Sequence, residues 1–85
     1  MSETKTNDVI DDVIEMIETR LNLAHILAND IEAISGNIRI RLTKNTISNA
    51  EIKIGQTEIG VLATWMRELF IAIQGGLEEL MEAKQ

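Results

Sequence analysis

The chain has 85 residues, a formal charge of −6, one Trp, one Phe and no Cys. That length makes a single domain, residues 1–85, with a thin core, and the lack of Cys excludes disulfides and thiolate metal sites. Of the devices that commonly support so small a core, oligomerisation remains.

No basic start followed by an apolar stretch occurs at the N-terminus, so no secretory leader is expected. The longest apolar run, Ile59–Ile73, is short and contains Arg67 and Glu68, so no membrane span is expected either. The expectation is a soluble cytoplasmic protein. Its charge is uneven. Residues 1–35 are net −6, residues 36–55 net +3 and residues 56–85 net −3. The acidic total disfavours general nucleic-acid binding, which draws its affinity largely from cations on phosphates. A local basic tip remains compatible with it.

Residues 1–6 are polar and expected to be disordered. Asn7 suits an N-cap, and Asp8, Asp11 and Asp12 place carboxylates where the helix dipole favours them. Ile10, Ile14, Ile17, Leu21, Ala24, Ala28 and Ile31 then follow a 4–3 spacing, flanked by Val13, Leu23, Leu27 and Ile34. This predicts an amphipathic helix. Ser35-Gly36-Asn37 reads as its stop, so the first helix is expected over about residues 8–35.

The middle supports two readings. Residues 37–43 alternate, with Ile38, Ile40 and Leu42 on one face and Arg39 and Arg41 on the other. Residues 51–55 alternate too, and pairing Leu42 with Ile52 and Ile40 with Ile54 gives an antiparallel β-hairpin over about 37–55. Alternatively Ser48-Asn-Ala-Glu51 is a capping box with Ile47 and Ile52 as its hydrophobic staple, and a second helix starts near residue 48. That would bury Gly55 and Gly60 in a helix, each costing about 1 kcal/mol relative to Ala. The β-hairpin is the favoured reading, followed by a helix from Thr57 to about residue 82. The expected fold is therefore α+β and mostly helical, with two long antiparallel helices joined by a β-hairpin. The alternative is an all-α helical hairpin.

In the second helix, Ile59, Leu62, Met66, Leu69 and Ile73 form one stripe, and the spacing continues through Gly76 to Leu80. Gly75-Gly76 reads as either a helix break or a close packing point. Trp65 and Ala72 widen the stripe on one side, and Val61 and Ile71 lie further round. A surface helix needs an apolar face only about 100° wide. The surplus residues Val61, Trp65, Ile71 and Ala72 are thus the candidate subunit interface, Trp and Met being enriched at such surfaces.

Catalytic signals are weak. His25, the sole histidine, falls in a polar stripe of Asp11, Glu15, Glu18, Asn22, Asn29 and Glu32, and reads as part of a solvated face. No second His or Cys could complete a zinc set, and no phosphate-loop glycine pattern occurs. Thr46–Glu51 does not match the recognition-helix segment of helix-turn-helix regulators. Asn37 or Ile38, and Arg41 or Leu42, stand where that pattern needs a small residue and a turn glycine. No enzyme activity, cofactor or metal is expected. The favoured function is a non-catalytic interaction or structural protein acting as a homodimer through its second helix. Two alternatives stand beside it. One is a dimeric nucleic-acid-binding regulator using Arg39, Arg41, Lys44 and Lys53 at a basic tip, and the other is an acidic inhibitor of a basic partner protein.

Overall fold

A computed structural model describes the backbone of residues 2–84 and the side chains of residues 8–84. It contains two helices, α1 (Ser2–Thr43) and α2 (Asn49–Lys84), folded back on each other as an antiparallel hairpin. The Cα trace measures 66 × 14 × 13 Å. At about 1.5 Å of rise per residue, α1 alone accounts for that length.

Both helices exceed their expected bounds. The Asn7 cap reading starts α1 at Asp8, whereas α1 begins at Ser2. Ser35-Gly36-Asn37 does not stop it. Gly36 has ordinary helical geometry, since no glycine takes a positive φ among the described residues. The stop lies at Asn45, whose φ is 55°. There the Thr46 N–H donates to the Arg41 carbonyl at 2.8 Å and the Asn45 N–H to the Leu42 carbonyl at 3.1 Å. These two bonds are a Schellman cap built on Asn instead of Gly.

The β-hairpin over 37–55 is absent, and no strand occurs among the described residues. Its place is taken by the end of α1, a short turn and the start of α2, so the all-α alternative describes the fold. The capping box does form. The Glu51 N–H donates to Ser48 Oγ at 3.2 Å, and the Ser48 N–H donates to Glu51 Oε1 at 3.4 Å. The alternating segments are helical because a second period runs through them. Ile34, Ile38 and Arg41 extend the 3–4 spacing of α1, and Ile52 and Gly55 extend that of α2 back from Ile59. Helix continues every backbone hydrogen bond, whereas an isolated two-stranded hairpin is marginal in water. In exchange, Ile40, Leu42 and Ile54 are left more than half exposed.

The seam can be read from burial. On α1 the buried and half-buried positions are Ile10, Val13, Ile17, Arg20, Ala24, Leu27, Ile31, Ile34, Ile38 and Arg41, joined by Ala28 and Gly36 beside them. On α2 they are Ile52, Gly55, Ile59, Leu62, Met66, Leu69, Ile73, Gly76, Leu80 and Ala83, with Ala72 beside them. Both sets keep a strict 3–4 spacing, as in a coiled-coil seam. The α2 set contains the whole stripe expected from sequence. The α1 set is rotated from the expected one, with Val13, Arg20, Leu27 and Ile34 in the seam while Ile14 and Leu21 face out.

Gly55 and Gly76 pin the register. A Cβ on Gly55 would lie 2.6 Å from Ile38 Cδ1, and one on Gly76 would lie 3.0 Å from Ile17 Cγ1. Neither Gly75 nor Gly76 breaks α2; Gly76 is a close packing point and Gly75 faces open space.

Candidate subunit interface

Two helices can bury only the strip between them, and here that strip is thin. Among the described residues Val13, Ala24 and Ile73 are the only buried apolar side chains, while fifteen large apolar residues are exposed. Most of the exposed ones are ordered by helical spacing into two flanks.

One flank carries Trp65. Open grooves run along it, the first lined by Asp12, Met16, Arg20 and Leu23, the next by Leu23, Ile26, Trp65 and Glu68. Leu69 belongs to both, so they join. Nearer the turn a third groove is lined by Ile34, Ile38, Ile47 and Ile54 together with Arg41, Glu51 and Glu58. Trp65 is 53% exposed and Ile26 56%, at the centre of this flank.

Of the expected interface set, Val61, Trp65 and Ala72 share the flank, being separated by 4 and 7 residues. Ile71 does not join them. It precedes Ala72 by one residue, which turns it about 100° away on the helix. Met16, Leu23 and Ile26 are the α1 residues of the same flank, which sequence reasoning did not assign to it. Their signal was present, since Met16 and Leu23 are a heptad apart, as are Trp65 and Ala72.

The opposite flank carries a shorter apolar patch. Ile14 and Leu21 on α1 and Phe70 and Leu77 on α2 are 40–49% exposed, each pair a heptad apart. The outer face of α1 is polar, and His25 is exposed there among Glu18, Asn22 and Asn29. Among the described residues no three His, Cys, Asp or Glu gather where they could hold a metal ion.

The four tip cations are not equivalent. Arg41 lies half-buried in the seam, where its Nη1 donates to Glu51 Oε2 and its Nη2 to the Thr46 carbonyl. The hydrogen bond from Arg41 holds the Glu51 carboxyl below its ordinary value of 4.5. Slight desolvation opposes it, and bonds from the Ser48 N–H and hydroxyl assist. Arg41 therefore staples the turn to the start of α2. Arg39, Lys44 and Lys53 are exposed at the same end, on helix and turn instead of on strands.

No described helix is long and apolar enough to cross a membrane. The chain matches no protein-family model, no curated protein and no solved structure.

Proposed function

We propose that this chain is a non-catalytic interaction or structural protein that acts as a homodimer, the two hairpins packing their Trp65 flanks together. One observation carries the reading: three buried apolar residues against fifteen large exposed ones. A two-helix hairpin has no means of closing its own core, whereas four helices enclose one. A two-fold dimer is the commonest closed assembly, and it places one flank against its own copy. The Trp65 flank is favoured over the Phe70 flank because it carries the one tryptophan beside a mostly apolar groove, and further grooves continue it along the hairpin. Size-exclusion chromatography with light scattering tests the proposal. A dimer at low micromolar concentration is expected, and a stable folded monomer there would overturn it.

A further inference from the structure

Resting on that dimer, we infer that its contact is opposed by its own charge, so that association tightens as salt rises. The charges of α2 are sorted by flank. Arg67 precedes Phe70 by three residues, and Lys53 and Lys84 lie two heptads from Arg67 and Phe70. All three cations of α2 therefore belong to the Phe70 side. The carboxylates lie on the other. Glu51 and Glu58 line the turn-end groove and Glu68 the groove beside Trp65. Glu79 follows Ala72 by one heptad, and Glu82 follows Glu68 by two. Glu78 alone lies elsewhere, a heptad from Ile71.

To this flank α1 adds Asp12 and Glu15 beside Met16, and Asp30 a heptad after Leu23. The cations set against them among the described residues are Arg20 and Arg41, both half-buried in the seam. Arg41 already pairs with Glu51. A two-fold contact presents the same surface from both sides. Each carboxylate of the flank therefore enters it twice, and acidic surface meets acidic surface whichever way the hairpins run. Leu23, Ile26 and Trp65 supply the apolar area that holds the contact, and the carboxylates around them oppose it. Charges act across about 10 Å at 0.1 M salt, the spacing of packed helices, but across only about 3 Å at 1 M. Salt thus removes the repulsion and leaves the apolar contact. A dimer held by ion pairs between copies would respond in the opposite direction.

Trp65 is the sole tryptophan, so its fluorescence on dilution reads the dissociation constant directly. From about 50 mM to about 1 M NaCl the wild-type constant should fall about tenfold. Glu58→Gln/Glu68→Gln removes two charges from the flank while keeping side-chain shape and helix propensity. It should tighten the dimer about tenfold at the lower salt and flatten the response to salt. Glu18→Gln/Glu32→Gln is the control, since it changes the net charge equally on the other side. Glu32 lines a groove there with Arg39, and Glu18 stands two heptads before it. This control should tighten the dimer far less. A constant that rises or holds steady with salt overturns the inference and leaves the dimer standing. Equal tightening by the two double variants does the same, because the repulsion would then belong to the whole chain instead of the flank. Chains that stay monomeric in light scattering at both salts overturn both.

Discussion

The five glycines occupy α-helix throughout, yet they do opposite things. Gly60 faces open space, so its missing side chain only loosens the helix. Gly60→Ala should therefore raise stability by about 1 kcal/mol, measured by urea denaturation. Gly76 meets Ile17 and Val13 across the seam, and a methyl group there is tight against a branched side chain. Gly76→Ala gains the same helix propensity but strains the packing by about 1–3 kcal/mol, so a net loss near 1 kcal/mol is expected. Gly55→Ala should be milder, because the clash is with the terminal Cδ1 of Ile38, which can rotate. A second residue-scale prediction concerns Glu51. Its folded-state pKa is lowered by the Arg41 hydrogen bond, so its contribution is full above 4.5 and lost as pH falls through the depressed value. Gln keeps the capping box but not the charge. The difference in Tm between wild type and Glu51→Gln should thus be present at pH 7 and shrink below about pH 4.5. A pH-independent difference would show that the ion pair is idle.

At the scale of elements, what decides this fold is where helices end. Ser48 Oγ accepts from the Glu51 N–H, and the Ser48 carbonyl accepts from the Ile52 N–H at 3.1 Å. Ser48→Ala removes the side-chain cap and should cost about 1 kcal/mol, seen as a lower urea midpoint with an unchanged slope. The α2 stripe was legible because Ile59, Leu62, Met66, Leu69 and Ile73 admit only one helical phase. The α1 seam was not, because Ile10, Ile17, Ala24 and Ile31 fit two phases that differ by one residue. The phase with Leu21 looks better by composition than the one with Arg20. Arg20 is nevertheless half-buried, and the long Arg side chain can cover apolar surface while keeping its charge in water. The turn was misplaced for a related reason. Gly36 carries the residue type of a helix stop without its geometry, and Asn45 carries the geometry without the usual residue. Period-2 alternation at 37–43 coincides with a 3–4 continuation through Ile34, Ile38 and Arg41, and only the partner helix distinguishes them. Half of the candidate interface was legible as well. Val61, Trp65 and Ala72 are read from α2 alone, whereas Leu23 and Ile26 need the register of α1 against it.

At the scale of the whole molecule, an open hairpin with three buried apolar side chains should owe its stability to its partner. Two substitutions separate the seam from the flank. Ile73 is 9% exposed and buried within the hairpin, so Ile73→Glu places a charge between α1 and α2 and should abolish folding outright. Trp65 is 53% exposed in the single hairpin, so Trp65→Glu leaves the seam intact and acts only at the proposed dimer contact. Its helix content should depend on concentration, low at micromolar chain and recovering as the chain is concentrated. The wild type provides the companion measurement. If folding and dimerisation are linked, Tm rises with chain concentration, because mass action stabilises only the associated state. A Tm constant over a hundredfold dilution, together with a Trp65→Glu variant as helical and as stable as wild type, would mean that the hairpin stands alone. The exposed Trp65 flank would then need a different explanation.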